Sequence, residues 1–180
     1  MYKTEIVTNI SENLQKELND FSDKNWGEHV HPGDIANQFF AIPTFAVIAL
    51  EHEKIIGLLF VFVRDIFFEK KKYSLGGVGG VVVDKNSRGK GVATSILKLA
   101  INEMTKRKVD VSMLCTDLDR LGKLYEGVGF VIIGRNYYFV CKKVETEVET
   151  GGMIRGICSK QAFETILNSK SDLNVGVSNF

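Results

Sequence analysis

One stretch constrains the fold of this chain more than any other, because a strand pattern, a glycine-containing turn and a helix pattern follow one another between residues 75 and 104. Apart from two glycines, residues 78–83 are all valine, which is typical of a buried strand. Residues 84–87 are turn and cap formers. From residue 92 onward, apolar side chains recur at the spacing of an amphipathic helix. The stretch therefore predicts a strand that leads through a tight loop into a helix N-terminus.

The loop between this strand and this helix has the composition of an anion site. The first N–H groups of a helix have no partner within the helix, and the helix dipole favours negative charge beside them. Gly89 and Gly91 let a phosphate approach the backbone, and Arg88 and Lys90 add positive charge. The P-loop pattern is excluded because Lys90 is followed by glycine, and the dinucleotide fingerprint is excluded because the glycines of 76–80 precede the turn. The loop predicts a pyrophosphate cradle of another kind.

Two short motifs carry a resemblance to a known family. Arg88, Gly91 and Ala93 form an Arg-x-x-Gly-x-Ala pattern at the start of the helix. Residues 124–130 have the sequence Leu-Tyr-Glu-Gly-Val-Gly-Phe and end a later helix pattern. The order, separation and element types of the two motifs resemble those of the GNAT superfamily of N-acetyltransferases. The resemblance covers residues 44–142 well and the N-terminal part loosely.

The resemblance implies acetyl-CoA as co-substrate and a fold that holds it. That fold is α+β, with a mixed, mostly antiparallel seven-stranded sheet flanked by helices. Two central strands splay apart, and the acyl-CoA lies between them. The strand residues would offer backbone groups to the pantetheine arm in the manner of an added strand, and the loop residues would surround the pyrophosphate. The matching positions are Val81, Val82 and Val83 for the arm, and Arg88, Gly89, Lys90, Gly91, Val92, Ala93 and Thr94 for the pyrophosphate.

Tyr125 matches the usual general acid of the family. A phenol with an ordinary pKa near 10 can give its proton to a leaving thiolate and regain it from solvent. Two positions depart from the family pattern. Gly79 stands where some members carry a glutamate that deprotonates the amine, and residues 116–119 lack an asparagine that reaches the pantetheine. The adjacent Gly79 and Gly80 predict a bulge or the close approach of another backbone.

The acceptor is predicted to be a primary amine, and residues 20–34 favour a small cationic one. These residues carry more carboxylates than lysines, and negative charge attracts a cation to a cleft. Because Gly79 has no side chain to act as a base, either this segment or water would remove the amine proton. The candidate residues for acceptor binding and proton removal are Glu28, His29, His31 and Asp34. The layout also resembles the aminoglycoside 2'-N-acetyltransferase branch, while protein N-terminal amines and polyamines remain open.

The remaining patterns predict an acetyltransferase core of residues 1–143 and an extension of residues 144–180 packed on or beside it. Residues 130–133 and 137–141 are expected to form a final strand pair, and the last dozen residues a loosely packed tail. The extension is also a segment that could pair across a homodimer. Within the extension, residues 153–158 are expected to form a strand and residues 159–168 a short helix.

Composition excludes several classes of partner. A formal net charge of +1 gives no electrostatic basis for nucleic-acid binding. No apolar run reaches the roughly 18 residues of a membrane span, and the N-terminus has no signal-peptide pattern, which predicts a cytoplasmic protein. The three cysteines predict reduced thiols, and no His, Cys or carboxylate spacing predicts a metal site. The alternative function is a non-catalytic, regulatory acyl-CoA-binding module with the same fold.

Overall fold

The computed structural model describes residues 1–25 and 40–180. A 3₁₀ turn at Lys85–Ser87 joins the central strand to the helix that follows it. The strands and helices, in chain order, are β1 (Lys3–Val7), α1 (Glu12–Asn25), β2 (Phe45–Glu51), β3 (Lys54–Phe68), β4 (Lys71–Val83), α2 (Val92–Lys106), β5 (Val111–Cys115), α3 (Leu118–Glu126), β6 (Val131–Ile132), β7 (Tyr137–Val140), β8 (Thr146–Glu149), β9 (Gly152–Gly156), α4 (Lys160–Asn168) and β10 (Leu173–Val177).

The main sheet has seven strands in the order β1-β2-β3-β4-β5-β9-β6. The pair β4 and β5 is parallel, and the other neighbouring pairs are antiparallel. Parallel strands need a long crossover, and α2 supplies it between β4 and β5. The predicted α+β fold with a mixed, mostly antiparallel seven-stranded sheet is therefore confirmed.

Two tight hairpins set the register of the strands that lead to the centre of the sheet. His52 and Glu53 join β2 to β3 with φ values of 48° and 60°, and Glu69 and Lys70 join β3 to β4 with 48° and 64°. Turns with both central residues at positive φ match the twist of antiparallel strands. Because the second turn is so short, β4 begins at Lys71, ahead of the stretch 75–104 whose pattern predicted this strand.

Helices cover both faces of the sheet. Phe45, Val47 and Ala49 of β2 belong to the core cluster that contains the apolar face of α2, whereas Ala46 and Ile48 cluster with Leu18 of α1. Alternate strand residues point to opposite faces, so β2 is buried on both sides. Within residues 1–25 and 40–180, no helix combines the length and the apolar composition needed to cross a membrane.

The predicted pairing of residues 130–133 with 137–141 is wrong. β6 pairs with β9, and β7 lies between β10 and β8 in a second, three-stranded sheet. β9 lies between β5 and β6, so a strand distant in sequence replaces the local hairpin partner. Residues 144–180, the predicted extension, thus supply an interior strand of the main sheet.

The last dozen residues also differ from the expected loosely packed tail. They form β10, which pairs in parallel with β7, and then the segment Ser178–Phe180, which we call the closing segment. Its three side chains are almost completely buried, with Phe180 5% exposed. The reason is that alternating apolar residues of β10 and the aromatic ring of Phe180 complete a core cluster beneath the sheet.

Candidate active site

The two central strands separate at the middle of the molecule. β4 and β5 pair in parallel only where residues 75–77 oppose residues 111–113. Beyond Gly77, β4 continues to Val83 along β3, while β5 continues along β9. One edge of β4 is therefore not covered by β5 over its second half. Backbone groups on such an edge can bind an extended ligand as an additional strand.

A cavity of 560 Å³ lies at this separation. Its volume falls within the range of about 300–1,000 Å³ that is usual for small-molecule and cofactor sites. The walls come from the end of β4, the loop and first turn of α2, and one side of α3. The lining residues are Asn25, Val81, Val82, Val83, Lys85, Ser87, Arg88, Gly89, Gly91, Val92, Ala93, Thr94, Arg120, Leu121, Leu124 and Tyr125.

The loop before α2 leaves the N-terminus of that helix open toward the cavity. Gly91 is the N-cap residue, with φ 76° and ψ 9°, a left-handed conformation that favours glycine. Since a glycine carries no side chain, no capping oxygen occupies the N–H groups of the first turn. A Cβ at Gly91 would lie 4.0 Å from the nearest atom, so glycine is needed here for backbone direction rather than for space. The arrangement can bind an anion.

Arg88 ties three elements together at the rim of the cavity. Its Nε donates a hydrogen bond to the carbonyl oxygen of Val83 at 3.1 Å, and its Nη2 donates to that of Asn25 at 3.1 Å. The Asn25 side chain in turn donates to the carbonyl oxygen of Phe21 at 2.9 Å. Arg88 thus fixes the end of α1 and the end of β4 relative to the loop, while its exposed guanidinium keeps further donors for a ligand.

Tyr125 lies in the opposite wall, on α3, with its side chain 5% exposed and yet lining the cavity. Its ring meets the ring of Phe130 edge-to-face, with centroids 6.3 Å apart. Burial raises the pKa of Tyr125 to about 12, against a smaller lowering from a hydrogen bond with the Thr116 side chain. The phenol therefore stays protonated at neutral pH and can donate a proton into the cavity.

The structure brings most of the predicted site residues together. All ten positions predicted to contact the acyl-CoA line the cavity except Lys90, which is exposed and is not among the lining residues. The predicted acceptor residues Glu28, His29, His31 and Asp34 lie outside the described residues. Sequence reasoning missed the lining residues Asn25, Lys85, Ser87, Arg120, Leu121 and Leu124. A usable signal existed for α3, since Leu121, Leu124 and Tyr125 recur at helical spacing.

The adjacent glycines Gly79 and Gly80 of the central strand show both features that their pattern predicted. Gly80 has φ 59° and, with Val81, opposes the single residue Leu59, which makes a β-bulge. Gly79 faces the closing segment, because a Cβ built there would lie 2.2 Å from the carbonyl carbon of Phe180. The space where a strand glutamate would stand is therefore filled by the backbone of Phe180.

Asp117 and Cys115, which precede α3, are engaged in structural contacts. Asp117 caps α3, because its side chain accepts a hydrogen bond from the Arg120 N–H at 3.2 Å. Cys115 donates to the carbonyl oxygen of Thr150 at 3.0 Å, and burial raises the pKa of its thiol to about 11. A thiol that stays protonated is a weak nucleophile. Within the described residues, no group of three or more His, Cys, Asp or Glu side chains is arranged to hold a metal ion.

Comparison with known proteins gives a family and a related curated sequence. A family model of the acetyltransferase (GNAT) domain matches residues 9–133, which is most of the chain. N-alpha-acetyltransferase 30 of Saccharomyces cerevisiae is 32% identical over 66 residues, which are 36% of this chain and 38% of that protein. The chain thus spans well under half the length of this curated relative.

Solved structures share the fold. The GNAT family N-acetyltransferase YhbS from Escherichia coli, in complex with CoA, superposes with a TM-score of 0.66 at 13% identity, covering 98% of this chain and 89% of that chain. The NatC complex bound to Gag peptide and CoA gives a TM-score of 0.61 at 18% identity, covering 86% of this chain and 98% of that chain. At these identities the likeness concerns the fold. Together with the family model and the two sequence motifs, it shows that the chain belongs to the GNAT acetyltransferase family.

Proposed function

We propose that this protein is an acyl-CoA-dependent N-acetyltransferase that moves an acetyl group from acetyl-CoA to a primary amine within a ternary complex. The main support is the cavity where β4 leaves β5, since one space joins an open strand edge, an uncapped helix N-terminus and the protonated phenol of Tyr125. Strand edge, helix terminus and phenol suit the three parts of an acyl-CoA: an amide-bearing arm, a pyrophosphate and a thioester.

The donor would bind along β4 and against α2. The pyrophosphate would accept hydrogen bonds from the first-turn N–H groups of Val92, Ala93 and Thr94, with Arg88 adding charge-assisted donors. The pantetheine amides would pair with backbone groups of residues 81–83. Val81 forms the bulge together with Gly80, and Val82 and Val83 follow it, at a point where the bulge bends the strand and interrupts the ladder with β3.

The chemistry needs a nucleophile, an oxyanion site and an acid. A neutral primary amine attacks the thioester carbonyl carbon, so that a C–N bond forms and the carbonyl oxygen becomes an oxyanion held by a backbone N–H of β4. The C–S bond then breaks, and the electron pair leaves on the CoA sulfur. Tyr125 donates its phenolic proton to that sulfur and regains a proton from solvent.

The amine must lose one proton during this reaction. Gly79 offers no side chain for the purpose, and the backbone of Phe180 occupies the adjoining space. Water would carry the proton away, unless one of the predicted residues Glu28, His29, His31 and Asp34 does so. The high pKa of Tyr125 does not conflict with this route, because Tyr125 acts on the sulfur rather than on the amine.

Two acceptor classes merit direct comparison. The excess of carboxylates in residues 20–34 supports a small cationic amine, with aminoglycosides and polyamines as examples. The similarity to a protein named N-alpha-acetyltransferase 30, and to a complex solved with a Gag peptide, supports the N-terminal amine of a peptide. Both are primary amines, so both suit the same catalytic step.

A thiol-release assay tests the function. Acetyl-CoA is mixed with the protein and with a panel of aminoglycosides, polyamines and short peptides, and free CoA thiol is followed over time. We expect amine-dependent release with at least one class, and mass spectrometry should find the acetyl group on the amine. Acetyl-CoA binding by calorimetry without release for any amine would favour the non-catalytic acyl-CoA-binding module instead.

A further inference from the structure

A second cavity, of 270 Å³, lies directly beside the first along β4. Gly80 lines the second cavity, and the next residue, Val81, lines the first. The bulge at these two residues therefore lies between the two cavities. A thioester that ends at Val81 would be one residue away from whatever occupies the second cavity, which makes that cavity the natural place for the acceptor amine.

The walls of the second cavity differ in chemistry. One wall is a polar face of α1, where Gln15, Asn19, Ser22 and Asp23 recur at helical spacing and Asp23 is an exposed carboxylate. The other wall is aromatic, with two rings from β3 and one from the closing segment. The residues of the aromatic wall are Phe60, Phe62 and Phe180.

Phe180 reaches this wall because the central strand carries glycine at the two positions that face it, Gly77 and Gly79. A Cβ at Gly77 would lie 1.8 Å from the Phe180 ring, and a Cβ at Gly79 would meet the Phe180 backbone. Arg64 lies on β3, and its guanidinium carbon is 4.8 Å from the centroid of the Phe180 ring, within the range of a cation–π contact. Gly77, Gly79 and Arg64 therefore form the surface against which the Phe180 side chain packs.

The closing segment is also anchored by polar contacts. Nη1 of Arg64 donates to the carbonyl oxygens of Val175 at 3.2 Å and Ser178 at 2.9 Å, and to that of Val177. Burial of Arg64 lowers the pKa of its guanidinium to about 10, so it remains charged at neutral pH.

Two further hydrogen bonds connect the segment to its surroundings. The Tyr137 hydroxyl donates to Asn179 Oδ1 at 2.7 Å in the buried interior. The Ser178 hydroxyl accepts from the N–H groups of Phe40 and Ala41 at 3.1 Å and 3.3 Å, which joins the segment to the chain beside Pro43. Ala41 and Pro43 also line the second cavity, so these hydrogen bonds hold the closing segment against residues of the cavity lining.

We propose that the second cavity binds the acceptor as a primary amine that carries an apolar group next to the nitrogen, with Phe180 as the residue that sets this preference. The apolar group lies against the three phenylalanines, and the polar face of α1 with Asp23 attracts the amine in its charged form before it loses a proton. The volume is below that of a drug-sized ligand, so the cavity holds only the amine-bearing end of the acceptor. This inference rests on the proposed function, whose acceptor it defines.

The test uses three small amines of the same chemical type: phenylalaninamide, leucinamide and glycinamide. With acetyl-CoA and the wild-type protein, we expect kcat/KM for the first two to exceed that for glycinamide by at least about tenfold, the range that pocket contacts of this size produce. In Phe180→Ala the preference should fall to within about threefold, mainly through KM, with acetyl-CoA affinity unchanged. Glycinamide favoured in the wild type, or an unchanged preference in Phe180→Ala, would overturn the inference.

Three further variants test whether the preference depends on Phe180 itself. Phe67→Ala removes a phenylalanine of the same strand as Phe60 that is 74% exposed, and it should keep the wild-type preference. Phe180→Leu retains apolar volume and should keep part of it. Gly79→Ala leaves Phe180 in the sequence but moves its backbone, so it should lose the preference as Phe180→Ala does.

A binding measurement separates this inference from the proposed function. Phenylalaninamide and glycinamide are titrated by calorimetry into protein saturated with CoA, which has no acetyl group to transfer. Tighter binding of phenylalaninamide that is lost in Phe180→Ala would uphold the site, even if the turnover assay gave no product and the proposed function failed. No binding of phenylalaninamide, or equal binding of the two amines, would overturn the site whatever the turnover assay gives.

Discussion

The two cavities on either side of the bulge in β4 differ in how far apart in the sequence their lining residues lie. On the donor side, the strand end, loop and helix start lie within residues 81–94, and their cavity is completed by α3 and by Asn25 at the end of α1. On the acceptor side, α1, β3, Gly80 and Phe180 come from segments up to the far end of the sequence. The donor side depends on local backbone geometry, whereas the acceptor side depends on long-range packing. We therefore expect substitutions on the two sides to separate affinity for acetyl-CoA from selectivity for the amine.

The largest effect should come from the donor side. Arg88→Ala combined with Gly91→Asp removes a cation and places a carboxylate on a backbone that must keep φ near 76°, at the open helix end. We expect acetyl-CoA affinity to fall by about a hundredfold or more, because charge repulsion and lost backbone donors act together. Calorimetry measures this directly. An affinity within threefold of wild type would mean that the pyrophosphate binds elsewhere.

Tyr125→Phe should act on turnover alone. Loss of the phenolic proton donor should lower kcat by about a hundredfold, the lower end for general acid catalysis, with acetyl-CoA affinity nearly unchanged. Steady-state rates and calorimetry on the same preparation measure the two quantities. Tyr138→Phe, which removes a half-buried hydroxyl in the second sheet, is the matched control and should behave as wild type. Wild-type turnover in Tyr125→Phe would leave Tyr125 a packing residue.

Gly79→Ala should act on the acceptor side alone. The new Cβ would lie 2.2 Å from the Phe180 carbonyl carbon, so the closing segment must move. We expect KM for an apolar amine to rise about tenfold and the free energy of unfolding to fall by about 1–3 kcal/mol, as for other overpacked sites. Denaturant unfolding and initial rates at varied amine concentration measure these changes. If acetyl-CoA affinity fell as much as amine affinity, the two sides would not be separable.

A small effect is expected for Lys90. Its side chain is exposed and outside the lining of the donor cavity, so it adds charge only at a distance. Lys90→Ala should weaken acetyl-CoA binding by no more than about threefold, and the difference should vanish in high salt because exposed charges are screened. Calorimetry at two salt concentrations checks this. A loss comparable with that of the double variant at Arg88 and Gly91 would show that Lys90 turns inward when acetyl-CoA binds.

The smallest effect concerns pH. Burial raises the pKa of Tyr125 from its ordinary value near 10 to about 12, so the phenol keeps its proton throughout the range below pH 10. We expect no fall in kcat between pH 7 and 10 that can be assigned to Tyr125. The contribution of the buried, neutral phenol to stability is complete below pH 10 and is lost as the pH rises toward 12. A pH–rate profile with an alkaline limb near 9 that vanished in a Tyr125 variant would contradict this.

What the sequence determined by itself was local. Residues 81–94 form a strand, a loop and a helix start because β-branched residues, left-handed glycines and helical spacing are properties of neighbouring residues. The caps at Ser11, whose hydroxyl accepts from the Leu14 N–H at 3.3 Å, and at Asp117 of α3 are local in the same sense, because each joins residues three positions apart. The glycine pair indicated a bulge or a close backbone, although not which backbone it was.

Only the tertiary structure decided which distant segments meet. Residues 131–132 had a local partner available in residues 137–140, yet β9 pairs with them, because β9 extends the main sheet and buries its own apolar side chains there. Phe180 lies against Gly77 and Gly79 because two missing side chains leave a space that an aromatic ring fills, and burying such a ring stabilises the fold by about 1.5–3 kcal/mol. Nothing in the sequence of residues 178–180 indicates that Phe180 packs against Gly77 and Gly79. The donor loop of residues 81–94 is therefore determined by neighbouring residues, whereas the α3 wall that faces it and the whole acceptor side depend on packing between segments distant in the chain.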